Sequence, residues 1–370
     1  MDLHVNARNI EQLMNERKIR IEELASRVGI ASPILEQVIR GRLVPGSTLM
    51  KKISAALREK GDKQQPAGTS LSSIRFRSRT LDTAERLKRR ERIREAATWI
   101  EDYSFLENAL GEKIPYRLAH LESLVPEEAA RAARLALGIG ETTPLQRLSA
   151  ILEEGGVKVR ITDFGFSKTS GFSVGESDGG PAVIVNTGAG ITTEHQVFTI
   201  AHEFGHLILH RNSYEASIES EHAGEEKDAN EFAGNFLLPR EPFLDAWSAS
   251  AGLDFVARVL WMKELFSVSY QTILQRLYHV QGDLALADLR KRFAIEYRER
   301  YAHDLKHYYE PFPLSPLSIL PVRYPLLVRQ AYEKGIISEL RAREMLTLSP
   351  IEMHKRITLW KDFHSADSIL

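Results

Sequence analysis

The chain has 370 residues, of which 43% are hydrophobic and 27% are charged, and it contains no cysteine. This length predicts two or three domains, and the composition is typical of a soluble globular protein. The lack of cysteine excludes disulfides, thiol nucleophiles and cysteine-bound metals, so any metal site must use His and carboxylate ligands. No apolar run approaches the roughly 18 residues of a membrane span. Because residues 1–12 also lack a signal-peptide pattern, we expect a cytoplasmic protein with no membrane partner.

Charge is distributed unevenly along the chain. The formal net charge is −1, yet residues 1–100 contain 21 Lys and Arg against 12 Asp and Glu, a net +9 that the remaining residues offset with −10. A basic N-terminal part predicts contact with a polyanion such as nucleic acid. Solvated helix faces are the alternative, because many of these charges lie at helical spacing beside acids.

Residues 1–60 are predicted to form short helices. Apolar side chains recur at i, i+3, i+4 and i+7 across residues 21–28. Gly29 can adopt the positive φ of a tight turn, and Ser32-Pro33 can supply the N-cap and first residue of a further helix. Residues 61–79 are predicted to be a linker, because most of them are polar and rich in Gly, Pro and Ser.

The rest of the chain combines many helices with a few strands. Periodicity predicts helices in residues 80–110, 126–137 and 144–156, strands in residues 157–161, 171–174 and 182–185, and helices again from Glu194. We therefore predict a mainly α fold with a small β-sheet (α+β). A central domain is placed at residues 80–290, and a C-terminal helical region at residues 291–370 contains a Pro-rich connection near its start.

The segment TIAHEFGHLILH, residues 199–210, carries the most informative chemistry. His202 and His206 lie four residues apart on a predicted helix, so both imidazoles project from one face and can take two positions of a tetrahedral zinc. Glu203 lies beside the metal, where it can accept a proton from water and later deliver it to the leaving amine. This spacing indicates a zinc metallopeptidase, and the preceding strands favour that interpretation over coincidental helix histidines.

A third protein ligand is needed, with one position left open for water. A third downstream histidine is absent, because positions 209 and 212 are Leu and Asn. Glu226 is the preferred candidate, since Asn230 follows it by one helical turn and can orient a ligand histidine through its second ring nitrogen. The alternatives are Glu225, Glu221 and His222.

Three other side chains near the motif have weaker assignments. His210 shares a helix face with His206 and is assigned to hydrogen bonding behind the ligands, because three ligands from one straight helix fit a tetrahedral site poorly. His195 is expected at the surface. A donor that stabilises an oxyanion is also expected, with Tyr214 and His222 as candidates.

These residues resemble the ImmA/IrrE family of metallopeptidases. The resemblance spans roughly residues 75–280 and rests on spaced motifs: residues 198–206, His210, residues 226–233 and 237–239, with residues 184–186, 266–269 and 276–277. It implies a gluzincin-like fold with His202, His206 and Glu226 as ligands of zinc, or of manganese or iron, and Glu203 as general base. It also implies that substrate backbone pairs with an edge strand, placed here at Ala182–Asn186.

The N-terminal helices resemble the Cro/repressor-type (XRE) helix-turn-helix. The matching residues are 22–25, 28–30 and 40–41. The resemblance implies a recognition helix at about residues 32–40 that turns Ser32, Glu36 and Gln37 toward DNA bases. Phosphate contacts are expected from Arg20, Arg40, Arg42, Lys51 and Lys52. Ile21 stands where that family usually has a polar residue, so a protein-interaction or dimerisation role is the alternative.

The sequence thus predicts a zinc-dependent endopeptidase coupled to a DNA-binding module. Its expected role is transcription regulation in a stress response, through cleavage of a specific repressor or antitoxin-like protein, with a homodimer as one possible assembly. The alternative is a transcription regulator or toxin–antitoxin component whose peptidase fold senses without hydrolysis. Cleavage is favoured because a pure sensor could dispense with Glu203.

Overall fold

The computed structural model describes residues 10–11, 14, 19–40, 42–43, 45–46, 49, 52–53, 56–57, 71, 74–78, 83–118, 121, 124–140, 144–214, 223–282, 285–305 and 310–367. Over these residues the fold is mainly helical with one small β-sheet, which confirms the predicted α+β class. Within the same residues, no helix has the length and apolar character needed to cross a bilayer.

The helices and strands follow one another in a fixed order. They are α1 (Ile21–Val28), α2 (Ser32–Ile39), β1 (Ile74–Ser78), α3 (Thr83–Leu110), α4 (Pro126–Ala136), α5 (Leu148–Glu154), β2 (Lys158–Thr162), β3 (Thr169–Val174), β4 (Ala182–Asn186), α6 (Thr193–Leu209), α7 (Ala223–Leu237), α8 (Arg240–Ala249), α9 (Phe255–Phe266), α10 (Tyr270–Gln281), α11 (Leu286–Tyr301), α12 (Arg323–Glu333), α13 (Glu339–Leu346) and α14 (Pro350–Asp367). Short 3₁₀ turns lie at Glu176–Asp178, Arg211–Tyr214 and Pro316–Ile319.

The chain divides into two compact units. The first comprises residues 1–68, 102–112 and 323–370, and the second comprises residues 69–101 and 113–322. The domain boundaries predicted at residues 60, 79 and 290 stay predictions. Residue 290 lies inside α11.

The first unit contains helices from both ends of the chain. The buried faces of α1 and α2 meet through Leu24, Val28 and Leu35, as their apolar spacing predicts. Arg341 on α13 forms an ion pair with the buried Asp102 on α3, and α12 is joined to α3 in the same way by Arg323 and Glu107. The N-terminal and C-terminal helices therefore belong to one packed body.

The second unit is built around a four-stranded sheet in the order β1–β3–β4–β2. Strand β4 pairs with β3 on one side, antiparallel, and with β2 on the other, parallel. The expectation that Ala182–Asn186 forms an edge strand is therefore wrong. All five of its residues are buried, and a continuous apolar run of this kind is typical of a strand covered on both faces.

Strand β1 lies within the residues predicted to be a linker. It pairs antiparallel with β3, so that Ile74 lies opposite Val174 and Phe76 opposite Phe172. The sequence IRFRS alternates apolar and basic residues with period two, which is a strand signal. No neighbouring hairpin accompanies it, because its partner strand lies almost 100 residues further along the chain.

Helix α6 occupies the centre of the second unit, where it packs on β3, β4 and α7. Two close approaches depend on glycine. A Cβ at Gly171 would lie 2.7 Å from the Thr199 side chain, so β3 and α6 can only come this near where the strand has no side chain. Apolar side chains cover the other faces of α6, and the helix is therefore held rigidly inside the core.

Candidate metal centre

The predicted motif lies on α6, as its periodicity indicates. The helix begins after Thr192, whose side-chain oxygen accepts a hydrogen bond from the backbone N–H of His195. His202, Glu203 and His206 are all buried in its second half. Buried polar side chains require partners, and those partners come from α7, β3 and the turn after α6.

The approach of α7 to α6 is made possible by Gly205, which lies between the two histidines of the motif. A Cβ at this position would lie 2.8 Å from the ring of Phe232 on α7. The Phe232 ring is itself stacked on Phe236 and packed edge-on against Phe204. The missing side chain thus lets the two helices pack closely enough for the first turn of α7 to reach the histidines.

Glu226 stands in that first turn, where the helix dipole stabilises a carboxylate. Its Oε1 lies 3.0 Å from Nε2 of His206 and its Oε2 lies 3.4 Å from Nε2 of His202. The two Nε2 atoms are 3.1 Å apart. A tetrahedral zinc with bonds of about 2.0–2.1 Å holds its ligand atoms about 3.3–3.4 Å apart. The three side chains therefore have the spacing of a zinc-binding set, and they can hold a metal ion.

Each histidine is oriented by a second contact at Nδ1. Nδ1 of His202 lies 3.1 Å from Oδ1 of Asn230, and a proton donated there leaves Nε2 as the ligand atom. Nδ1 of His206 lies 3.0 Å from Nδ1 of His210, whose Nε2 faces Asp228 at 3.8 Å. Asn230 and His210 thus lie where the sequence analysis assigned them, behind the ligand histidines.

The charge of the site favours a cation. Burial alone would raise the pKa of the Glu226 carboxyl, but hydrogen bonds from His202 and His206 outweigh it and hold the pKa well below its usual range. Glu226 is therefore ionised at neutral pH. A carboxylate beside two imidazoles is a donor set that zinc accepts.

The structure also separates Glu226 from its alternatives. The neighbouring Glu225 points elsewhere, because its Oε1 accepts a hydrogen bond of 2.7 Å from Ser213. Glu221 and His222 lie outside the described residues. Among the residues that the structure describes, the group of metal-ligand type is His202, His206 and Glu226, with one donor atom from each within 4.8 Å of the others.

Glu203 is held by a chain of two hydroxyl groups. Ser173 on β3 donates to Oε2 of Glu203 at 2.6 Å, and Oη of Tyr214 donates to Oγ of Ser173 at 2.7 Å. Tyr214, a candidate oxyanion donor in the sequence analysis, therefore contacts Ser173. The sequence analysis did not identify Ser173, because a serine in a short strand has no local signal. Only the packing of β3 on α6 brings it to the carboxylate.

The remaining predicted residues lie away from this centre. His195, expected at the surface, has its Nε2 at 2.9 Å from Oγ of the neighbouring-strand residue Ser170. Ser32 and Glu36 are partly exposed on α2, and Gln37, Arg40 and Arg42 are exposed. Arg40 forms an ion pair with Glu36 one turn earlier. Lys51 lies outside the described residues.

Comparison with known families decides which class of domain contains the site. Residues 152–278 match the family model of the IrrE N-terminal-like domain, Peptidase_M78. This match contains β2, β3, β4, α6 and α7, and with them the whole His202, His206 and Glu226 group. It supports the predicted ImmA/IrrE resemblance and a metallopeptidase-like role for this part of the chain. Comparison with curated proteins found no match.

Proposed function

We propose that the chain is a zinc-dependent endopeptidase of the gluzincin type. His202, His206 and Glu226 bind the metal, and Glu203 is the general base. The observation that carries the proposal is the convergence of three metal-ligand atoms beside a buried carboxylate. Zinc suits two imidazoles and one carboxylate with an open fourth position, and manganese or iron would accept the same donors.

The reaction proposed is hydrolysis of a peptide bond. Bound zinc would supply Lewis-acid polarisation of the scissile carbonyl and of the attacking water. The Glu203 carboxylate takes the proton that water loses as its oxygen attacks the carbonyl carbon. It then gives this proton to the amide nitrogen as the C–N bond breaks, so that the amine leaves in neutral form.

The surroundings of Glu203 fit this role. A general base works best when its carboxylate is held in one orientation within hydrogen-bond reach of the water. The hydrogen bond from Ser173 fixes one oxygen of Glu203, and Tyr214 fixes Ser173 in turn. We therefore assign Ser173 and Tyr214 as positioning residues, which act on the reaction through Glu203.

The proposed substrate is a specific repressor or antitoxin-like protein in the cytoplasm. The N-terminal helices would bind DNA through Arg40, Arg42 and the side chains of α2, and so couple cleavage to transcription in a stress response. Support comes from the excess of basic residues in the first 100 positions and from the helix–turn–helix backbone of α1 and α2. A homodimer fits the same arrangement.

The metal assignment is tested by metal content after purification with zinc. His202→Ala and Glu226→Gln are expected to lose bound zinc, while Glu203→Gln retains it. Glu225→Gln is the matched control, since Glu225 is bonded to Ser213 rather than to the histidines. Full zinc content in His202→Ala would overturn the ligand set.

The peptidase assignment is tested by mass spectrometry of new protein N-termini. Cells that express the wild-type chain are compared with cells that express Glu203→Gln at equal levels. We expect one or a few N-termini that appear only with the wild type, in a DNA-binding or antitoxin-like protein. Identical sets of N-termini under inducing stress would contradict hydrolysis and favour a sensor.

A further inference from the structure

Helices α13 and α14 repeat the backbone arrangement of α1 and α2. In each pair the first helix has eight residues, the turn has three, and the second helix carries a proline in its first turn. The residue that ends the first helix is left-handed in both, Gly29 with φ 76° and Thr347 with φ 57°. The two pairs lie in the same compact unit, at opposite ends of the chain.

The hydrogen bonds of the two turns are also the same. The N–H groups of Gly29 and Ile30 both donate to the carbonyl of Ala25. In the second turn, the N–H groups of Thr347 and Leu348 both donate to the carbonyl of Arg343. A left-handed conformation costs roughly 1–2 kcal/mol in a residue other than glycine. Its adoption by a β-branched threonine indicates that packing of α14 requires this turn.

The start of α14 is defined by a reciprocal cap. Ser349 Oγ accepts from the N–H of Glu352, and Glu352 Oε2 accepts from the N–H of Ser349 at 2.8 Å. Met353, Ile357 and Trp360 form the buried stripe of the helix. The opposite face, which includes Ile351, His354, Lys355 and Thr358, is exposed. A helix fixed by its cap and by a buried stripe presents this face rigidly.

The exposed face of α14 is basic. Between residues 350 and 361 its acidic side chain is Glu352, which is engaged in the cap, whereas Lys355, Arg356 and Lys361 are cations beside His354. Lys355 and Arg356 form no ion pair with any residue that the structure describes. The corresponding helix α2 differs, because Arg40 is paired with Glu36 and Ile34 is 41% exposed.

We propose that α13 and α14 form a second helix-turn-helix, which binds double-stranded DNA with α14 as the recognition helix. In this motif the second helix enters the major groove and its N-terminal half contacts the base edges. His354 and Lys355 lie in that half, and Arg356 lies beside them, where it reaches phosphates. DNA is the occupant because the face joins unpaired cations to the turn geometry of a groove-binding helix.

The proposal does not depend on peptidase activity, and it is tested with the full chain on a labelled mixed-sequence duplex of about 30 base pairs. Fluorescence anisotropy is measured between about 50 and 200 mM salt. Wild type is compared with Lys355→Ala/Arg356→Ala and with the charge-matched control Lys113→Ala/Lys334→Ala, which removes two exposed lysines elsewhere. Metal content and thermal unfolding of each variant show that the fold is intact.

The α14 variant is expected to bind at least about tenfold more weakly at low salt. Its slope of log K against log salt should shrink by about 1.8, since each phosphate contact contributes about 0.9. The lysine control should keep the wild-type slope. A wild-type slope in the α14 variant would overturn the proposal. So would a loss confined to Gln37→Ala/Arg40→Ala, which would place the DNA contact on α2, or binding of single-stranded RNA with no binding of the duplex.

Discussion

At the scale of single residues, the carboxylate of Glu203 depends on a hydroxyl that the motif does not contain. Ser173 reaches Glu203 from β3, and it is itself fixed by Tyr214 from the turn after α6. A Cβ at Gly175 would lie 3.0 Å from Cβ of Tyr214, so the end of β3 needs a glycine for this approach. Three separate segments therefore define the position of one proton-transferring group.

Removal of the Ser173 hydroxyl should lower cleavage of the native substrate. We expect Ser173→Ala to reduce kcat by about tenfold and to leave KM and zinc content unchanged, because the Glu203 carboxylate loses its fixed orientation. The measurement is steady-state cleavage of a peptide that spans the site found by N-terminal mass spectrometry.

The control for this prediction is Ser170→Ala, which removes a hydroxyl bonded to His195 on the same strand and should have little effect. In the Glu203→Gln background, Ser173→Ala should cause no further loss, since a positioning residue acts only through the group it positions. Additive losses in the double variant would show that Ser173 has a general structural role instead.

Asn230 should matter for metal affinity. Asn230→Ala removes the acceptor at Nδ1 of His202, and changes of this kind typically weaken metal binding by roughly 10–100-fold. Zinc affinity is measured by competition with a chromogenic chelator. Asn235→Ala is the control, because Asn235 lies on the same helix but donates to the carbonyl of Glu231. Equal affinities in both variants would contradict an orienting role for Asn230.

At the scale of elements, the site exists because α6 and α7 pack closely at Gly205. Alanine normally stabilises a helix relative to glycine by about 1 kcal/mol. Here the added Cβ would lie 2.8 Å from the buried Phe232 ring, so we expect Gly205→Ala to lower the free energy of unfolding by about 1–3 kcal/mol. Zinc affinity should fall as well, because Glu226 moves away with α7.

Gly234 on α7 provides the matched control for Gly205. A Cβ at Gly234 meets no atom within 4 Å. Gly234→Ala should therefore raise the free energy of unfolding by about 0.5–1 kcal/mol. Chemical denaturation of both variants gives the comparison. Stabilisation by both substitutions would show that the contact between α6 and α7 tolerates a methyl group.

The elements that the sequence predicts well are those with a local signal. Helix α6 and the spacing of His202 and His206 follow from periodicity alone, and Glu226 follows from its place one turn before Asn230. Strand pairing is different, because it joins segments far apart in the chain. Its outcome left β4 in the centre of the sheet and added β1 from the predicted linker. Ser173 could not be assigned for the same reason.

At the scale of the whole second unit, a buried cluster of charges joins the start of α6 to the segment after α11. Lys263 Nζ lies 2.8 Å from Oε1 of Glu194 and 3.8 Å from Oε1 of Glu310, and it donates to the carbonyl of Phe312. The N–H of Tyr270 donates to Glu310. Two carboxylates thus share one ammonium group in a site with little access to water.

Burial raises the pKa of Glu310 to about 7, and the nearby Glu194 contributes in the same direction against the opposing effects of the Tyr270 N–H and Lys263. Between pH 4.5 and about 7 the folded chain therefore holds a proton on Glu310 that the unfolded chain has lost. The free energy of unfolding must fall as pH rises through this interval, and it changes no further from this group above it. A shift of this size corresponds to roughly 3 kcal/mol.

Glu310→Gln should remove this pH dependence, because the amide keeps an acceptor for the Tyr270 N–H but does not titrate. The free energy of unfolding of wild type minus that of the variant is expected to fall by about 3 kcal/mol between about pH 5 and pH 8. Urea denaturation at each pH gives both values, and the subtraction cancels the histidines that titrate in the same range. Glu264→Gln, an exposed glutamate on α9, should give a flat difference. Parallel curves for wild type and Glu310→Gln would show that Glu310 is ionised in the folded chain throughout, with Lys263 compensating for its burial.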